Sequence, residues 1–247
     1  RADVTGNLFA NVGRQAVVNP LRAALMTMAV GELRVAGNRM FGIGPLAGFN
    51  QRAVGIAIAP GFTEAAIEDN AIARLTTDAD KPVMSRWQAI LVVGSLANDL
   101  VKEQVAMAVP GATMLATKSG HAYLTNAMVA VFANAGSATV RGNRLHGHTS
   151  QIPTAELLAV QGCLFDQNDI RVTDGEGDGM LAGRVLSDHA NVANNRLAGS
   201  KDKVIFQLSV DKDKHAVLGN LRTSPIMVNG TPDTALPPPW NALNVAI

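Results

Sequence analysis

The chain has 247 residues, of which 47% are hydrophobic and 17% charged, so it has enough apolar side chains to bury a sizeable core. Its 21 basic and 20 acidic residues leave a net charge of +1, which argues against a nucleic-acid-binding protein that depends on bulk charge. A single cysteine, Cys163, excludes a disulfide framework, and we expect it to pack as a small core residue. No uncharged apolar run approaches the roughly 18 residues that span a bilayer, so we expect no membrane insertion.

One short unit recurs along the chain: an apolar residue, one or two small or polar residues, an asparagine and a second apolar stretch. The asparagines of this unit are Asn7, Asn38, Asn70, Asn143, Asn168, Asn195 and Asn220. Neighbours in this series lie 25 to 32 residues apart, except for the 73-residue gap between Asn70 and Asn143, which fits two divergent units.

Short apolar runs precede most of these units and carry the signals of β-strands. Each run has four to six residues, is rich in small or β-branched side chains and is bounded by Gly, Pro or Asn, which is typical of strands. In chain order the runs are 25–30, 54–58, 89–93, 128–132, 157–160 and 204–208. Short strands at this spacing, with no helical pattern between them, indicate a sandwich of hairpins or a solenoid in which each repeat is one coil.

The repeated asparagine favours the solenoid, because a solenoid places the same turn in every coil. Asparagine tolerates a left-handed backbone, so we expect the asparagines of the unit to occupy left-handed corners and to hydrogen-bond to one another in a ladder. The first apolar residues of the units are expected to form one vertical stack, which includes Val35, Ile67, Val140, Val192 and Val217. The sequence therefore predicts a parallel β-solenoid of about seven coils.

These V-x-G-N-x-apolar units, with coils and loops of variable length, resemble the right-handed parallel β-helix proteins of the pectin-lyase-like superfamily over roughly residues 2 to 230. The resemblance implies an all-β fold with a parallel β-helix over 1–230 and a C-terminal capping tail over 231–247. It implies much less about function, because that superfamily includes polysaccharide lyases, glycoside hydrolases, phage tailspikes, adhesins and structural segments.

The two ends of the predicted solenoid differ. The repeat is entered by Val4, with no room for a capping helix, so we expect preceding coils or another domain of a longer protein to cover that end. After residue 230 the chain leaves the repeat, and the prolines at 237–239 cannot donate to a strand ladder. Trp240 and Leu243 are expected to fold back over the open core as a cap.

An acidic, glycine-rich segment at 166–179 contains the candidate metal site. The candidate ligands alternate along it: Asp174, Glu176 and Asp178. This spacing matches the first half of a calcium loop, but the closing glutamate of an EF-hand would fall at Val185, so that motif fails. Two interpretations stay open, a structural calcium site and a solvated loop between two coils.

Catalysis by a carbohydrate-active β-helix would need two carboxylates within ~5–10 Å of each other. The chain contains no Asp-Asp pair, and His146 has no acidic partner at a matching position, so we predict no catalytic residue. The competing hypothesis is a polysaccharide lyase or glycoside hydrolase that uses the acids of 166–178 near Arg171 or Arg184.

The middle of the chain is poor in charge, since Lys118 is the only charged side chain in 104–138. A coil wall with one face in water should alternate apolar and polar residues, whereas the runs here are apolar on both faces. We expect burial under a loop of the same chain or, preferably, against another subunit, with Met107, Met114 and Ala130 in the interface. A homotrimer is the first expectation, and docking to other subunits of an assembly is the second.

Taken as a whole, the sequence predicts a non-enzymatic structural or binding segment: a spike, fibre or surface domain of a larger bacterial or phage-like extracellular assembly. A glycan is a candidate ligand, and no cofactor is expected beyond the candidate calcium.

Overall fold

The computed structural model describes residues 1–13, 21–44, 52–73, 86–95, 136–147, 152–172, 181–199, 204–211, 214–235 and 243–246. Across these residues the protein is all-β, with one 3-10 turn at Asp233–Ala235 and no α-helix. Consequently, no helix in the described ranges is long and apolar enough to cross a membrane. The strands form a 13-stranded sheet and an 8-stranded sheet, in which every pairing is parallel except the last of the larger sheet.

The strands belong to three parallel ladders. The first ladder consists of β1 (Ala2–Thr5), β4 (Glu32–Ala36), β7 (Glu64–Glu68), β10 (Ser137–Arg141), the second halves of β12 (Ala155–Asp166) and β14 (Gly183–Ala193), and β17 (His215–Leu218). The second ladder consists of β2 (Leu8–Ala10), β5 (Arg39–Phe41), β8 (Ala71–Ala73), β11 (Arg144–Gly147), β13 (Asp169–Val172), β15 (Arg196–Ala198), β18 (Leu221–Arg222) and β21 (Val245–Ala246). The third ladder consists of β3 (Leu21–Thr27), β6 (Arg52–Ile58), β9 (Arg86–Val93), the first halves of β12 and β14, β16 (Phe206–Val210), β19 (Ile226–Val228) and the antiparallel β20 (Thr231–Pro232).

From β1 to β19, successive strands visit the first, second and third ladders in a fixed order, beginning with β1, β2 and β3. β12 and β14 serve two ladders each, and a register shift between Leu157 and Val160 marks the change from one ladder to the next. Because each strand pairs with strands from the preceding and following rounds, the long parallel sheets arise from contacts that are distant in sequence. The prediction of a repetitive, all-β, parallel architecture is confirmed.

The predicted strand runs agree with the third ladder. The runs 25–30, 54–58, 89–93, 157–160 and 204–208 lie in or overlap β3, β6, β9, β12 and β16. The sixth run, 128–132, lies outside the described residues. The local signals, which are β-branched side chains bounded by turn residues, were therefore sufficient to locate these strands.

A two-residue turn joins the first ladder to the second in each round, and its left-handed position differs from our expectation. The residues with positive φ are those that precede the asparagines: Gly6, Gly37, Asp69, Gly142, Gln167, Asn194 and Gly219, with φ between 54° and 67°. The expectation that the asparagines of the unit themselves are left-handed is wrong. The preceding residue makes the bend, and the asparagine is then free to use its side chain for hydrogen bonds within the protein.

The 73-residue gap does not contain two units, since Asn70 hydrogen-bonds directly to Asn143. All three ladders continue across this gap, because β7 pairs with β10, β8 with β11 and β9 with β12. The gap is therefore one round of the repeat with a long insertion. Spacing in sequence could not show this, since parallel pairing depends on which strands are neighbours in space.

The core lies between the ladders and is built from vertical stacks. In the first ladder the successive partners are Val4, Val35, Ile67, Val140, Phe165, Val192 and Val217, which confirms the predicted stack. In the second ladder they are Phe9, Met40, Ile72, Leu145, Ile170 and Leu197. Burial of each such side chain contributes about 1.5–3 kcal/mol, so these stacks contribute substantially to the driving force for folding. Cys163 is buried beside them, as predicted.

The C-terminal tail adds to the second ladder. The prolines at 237–239 and Trp240 lie outside the described residues, but parallel pairing resumes beyond them where β21 pairs with β18. The Val245 N–H donates to the Asn220 carbonyl at 2.8 Å, so the tail contributes a strand rather than only a cover for the core. The domain boundary at residue 230 stays a prediction.

Candidate functional site

A continuous ladder of asparagine side chains runs beside the turns between the first and second ladders. Its members are Asn7, Asn38, Asn70, Asn143, Asn168, Asn195, Asn220 and Asn244. In each step the backbone N–H and the side-chain Nδ2 of one asparagine donate to the Oδ1 of the next, at 2.9–3.2 Å. The predicted ladder is confirmed, and Asn244 is an eighth member that the sequence motif did not include.

Each ladder asparagine after Asn7 also hydrogen-bonds to the first-ladder strand of the preceding round. The Nδ2 of Asn143, for example, donates to the Ile67 carbonyl at 2.8 Å, and the Nδ2 of Asn168 donates to the Val140 carbonyl at 2.9 Å. Asn143 is fully buried, so these amides replace water for backbone groups that would otherwise be unpaired. The ladder therefore fixes the geometry of the exposed residues that follow each asparagine.

The residue after each ladder asparagine opens a strand of the second ladder and faces outward. The paired positions in this outer row are Leu8, Arg39, Ala71, Arg144, Asp169, Arg196, Leu221 and Val245. A second outer row, two residues further along each strand, contains Ala10, Phe41, Ala73, His146, Arg171 and Ala198. Four arginines and one carboxylate thus share this face.

An open groove of about 620 Å³ lies on this face of the second ladder. Its floor is formed by Ala71 and Ala73, whose side chains are short, and its walls are formed by Arg39 and Phe41 on one side and Arg144 and His146 on the other. The groove exists because β8 carries only alanines at the positions where its two neighbours carry long side chains.

Asp169 and Arg171 line the end of the groove as a paired unit. The Nη2 of Arg171 donates to Oδ2 of Asp169 at 3.1 Å, and its Nε donates to Oδ1 at 3.3 Å. The hydrogen bond to Asp169, followed by its charge, raises the pKa of Arg171 above the usual arginine value. Asp169 is therefore already paired with the Arg171 guanidinium, and it does not neutralise Arg39 and Arg144 in the groove walls.

The arginines of the first ladder have a different environment. Arg34 pairs with Glu68 at 3.3 Å, and Arg141 pairs with Asp166 at 3.5 Å. In the described ranges no carboxylate pairs with Arg39, Arg144 or Arg196. Of the described arginines in the first and second ladders, those that no carboxylate neutralises therefore lie on the second ladder.

The outer side of the third ladder holds a buried carboxylate that sequence reasoning did not identify. Glu156 is 1% exposed, accepts a hydrogen bond from Gln88 Nε2 at 3.0 Å and forms an ion pair with Arg184 at 3.3 Å. Arg184, which the competing enzyme hypothesis placed near the acids of 166–178, is thus engaged by Glu156 in the described structure.

Several predicted site residues cannot be located. The candidate calcium ligands Asp174, Glu176 and Asp178 and the candidate interface residues Met107, Met114 and Ala130 all lie outside the described residues. His146 is exposed in the groove wall, next to Arg171 in the adjacent strand. Among the side chains that the structure describes, no group of three or more His, Cys, Asp or Glu could hold a metal ion.

The arginine row has a signal in the sequence. Arg39, Arg144 and Arg196 each follow a ladder asparagine directly, so aligning the repeats on the asparagines places these arginines at one structural position.

Comparison of the chain with protein-family models, with curated proteins and with solved structures found no match.

Proposed function

We propose that the chain is a right-handed parallel β-solenoid of about seven coils, in which the three ladders form the walls of each coil. The fixed order in which the strands visit the ladders supports this proposal, because a chain that winds about one axis meets its walls in the same order in every round. A rod of seven coils at the ~4.8 Å strand spacing would be about 30–35 Å long. An experimental structure should show the three ladders as walls wound in one direction about a common axis, and antiparallel pairing between neighbouring copies of the stack residues would contradict the solenoid.

We propose further that this solenoid is a structural and binding segment of a larger extracellular assembly, such as a bacterial or phage-like spike, fibre or surface protein. The observation that carries this function is the asparagine ladder, which joins every round of the chain from Asn7 to Asn244 by hydrogen bonds. Such a continuous internal support suits a rigid element that holds an exposed face in place.

The rival function is a polysaccharide lyase or glycoside hydrolase. Hydrolysis of this kind uses a pair of carboxylates, and the described lining of the groove offers one, Asp169, which is bound to Arg171. The test is incubation of the protein with acidic and neutral polysaccharides, with and without calcium, followed by size-exclusion chromatography of the products. We expect no depolymerisation, whereas depolymerisation that is lost in Asp169→Asn would establish the enzyme.

The proposed assembly is oligomeric, with a homotrimer as the first arrangement to test. Its support is the charge-poor composition of 104–138, which would be a liability on the surface of a monomer. Light scattering should give a mass above that of one chain, and Met114→Glu or Ala130→Glu should lower it. A monomeric wild-type protein, or an oligomer that neither substitution affects, would remove this interface.

A further inference from the structure

We propose that the outer face of the second ladder binds an extended carboxylate-bearing polysaccharide that lies along the direction in which the strands stack. Arg39, Arg144 and Arg196 would each hold one carboxylate of this polymer. The inference rests on the binding role proposed above and names the residues and the ligand class.

The first argument is the spacing of the arginines. In the outer row, Ala71 separates Arg39 from Arg144, and Asp169 separates Arg144 from Arg196. Two strand spacings put neighbouring arginines about 10 Å apart along the face. An extended disaccharide has a similar length, so a polymer that presents one carboxylate per disaccharide on the protein side would meet each arginine in turn.

The second argument is the charge of this face. Alignment of like charges along one face raises the free energy of the folded state, and a bound polyanion offsets that repulsion. The comparable arginines of the first ladder, Arg34 and Arg141, are already neutralised by Glu68 and Asp166. The unpaired arginines therefore mark the second ladder, not the first, as the anion-binding face.

The third argument is the shape of the groove and the chemistry of its walls. The guanidinium group can bind a carboxylate through two parallel hydrogen bonds, which fixes the orientation of the ligand. The alanine floor at Ala71 and Ala73 leaves room for a sugar ring between Arg39 and Arg144. Single-stranded nucleic acid fits less well, because it needs successive aromatic platforms, and Phe41 is the one Phe, Tyr or Trp side chain in the described lining of the groove.

The test measures binding of fluorescent hyaluronan oligosaccharides, which carry one carboxylate per disaccharide, to the full chain. The double variant Arg39→Gln/Arg144→Gln should lower the affinity by about tenfold or more, the loss expected for two charge-assisted hydrogen-bonded contacts. The matched control is Arg34→Gln/Arg141→Gln, which removes the same charge from exposed strands of the first ladder and should change the affinity by less than about twofold. Neutral dextran should not compete.

Three results would overturn the inference. Wild-type protein that retains its β-sheet circular dichroism but does not bind hyaluronan would refute the binding face and leave the solenoid standing. Equal losses of affinity in the two double variants would show that only net charge matters. Tighter binding of an oligo-dT strand, with the same dependence on Arg39 and Arg144, would reassign the face to nucleic acid. Degradation of hyaluronan by the wild-type protein would instead refute the non-enzymatic function while leaving the arginine contacts in place.

Discussion

At the scale of single residues, the two positions of each turn have different roles, and these roles determine which substitutions the turn tolerates. The residue before the asparagine accepts a left-handed backbone, and the asparagine supplies hydrogen bonds to the neighbouring turn and strand. Glycine fills the left-handed position in four of the turns and Asp69, Gln167 and Asn194 fill it in the others. The two positions are therefore constrained for different physical reasons, and substitutions at them should behave differently.

We expect Asn143→Ala to destabilise the protein by about 2–4 kcal/mol, because it leaves the buried Asn70 N–H without a partner and removes the further hydrogen bonds to Asn70 Nδ2 and the Ile67 carbonyl. Asn7→Ala is the matched control, since Asn7 is exposed and bonds to a ladder neighbour on one side only. Its cost should stay below about 1 kcal/mol in urea unfolding. Equal costs at the two positions would show that the ladder does not contribute to stability through burial.

The left-handed position is best tested at Gly37, where φ is 64° and an added Cβ would make only an ordinary van der Waals contact, with the Gly6 nitrogen at 4.0 Å. Gly37→Val should lower the free energy of unfolding by about 1–2 kcal/mol through backbone strain. Gly37→Asn should lower it by only a few tenths of this amount. Both variants can be compared by chemical denaturation. Identical stabilities would mean that the turn can relax away from the left-handed conformation.

Cys163 gives a prediction about alkaline pH. Burial raises the pKa of its thiol from 9.0 to about 12, so the folded protein keeps the proton over a range in which the unfolded chain loses it. The thiol therefore contributes stability below pH 9 that is lost as pH rises towards 12. Cys163→Ala should be destabilised less than wild type on going from neutral pH to high pH, as measured by urea midpoints. An identical decline in both proteins would contradict a protected thiol.

At the scale of elements, the second ladder changes character at its C-terminal end. Arg222 occupies the stack position that Leu197 occupies in the preceding round, and it is 5% exposed. Its Nε donates to Oδ2 of Asp233 at 2.7 Å, and Asp233 is itself 1% exposed and accepts from the Ile226 N–H. A buried ion pair thus ends the apolar stack and fastens the 3-10 turn at Asp233–Ala235 to β18.

This pair should behave as one unit in a double-mutant cycle. Arg222→Leu alone should cost about 3–5 kcal/mol, because it leaves the Asp233 carboxylate buried without its partner. The double variant Arg222→Leu/Asp233→Ala should recover most of that loss, since leucine continues the stack and no buried charge remains. Thermal and urea unfolding of the four proteins would measure the coupling. Additive losses would show that the pair contributes no specific interaction.

At the scale of the whole molecule, the described strands of each round pair with strands of the rounds before and after it. β10 lies between β7 and β12, whereas β1 pairs with β4 alone among the described strands. The side chains of the first round are correspondingly exposed, with Leu8 at 65%. Stability should therefore vary along the stacking direction.

Native-state hydrogen exchange would reveal this gradient. We expect the amides of Ala2–Thr5 and Leu8–Ala10 to exchange much faster than those of Ser137–Arg141, whose neighbours on both sides must open first. Mass spectrometry of peptides from the two regions would compare them at one pH and temperature. Equal protection would indicate that the rounds unfold as a single cooperative unit.

The repeat, the short strands and the asparagine ladder were predictable from the sequence alone. These features are local, because a turn that recurs in every round needs the same residue types at the same place, and a strand shows its inward and outward faces in its own pattern. The same local signals were insufficient for Asn244, because the residue before it, Leu243, is apolar where the unit has a small or polar residue.

Which rounds are neighbours could be seen in the three-dimensional structure alone. It placed Asn143 beside Asn70 across the 73-residue gap, paired Arg222 with Asp233, and aligned Arg39, Arg144 and Arg196 on one face. These contacts join residues that are distant in the chain, and their register depends on how parallel strands pair in space. The periodicity of the sequence shows which residues each round contains. Which rounds are neighbours depends on the pairing of strands from different rounds, and the periodicity does not show that pairing.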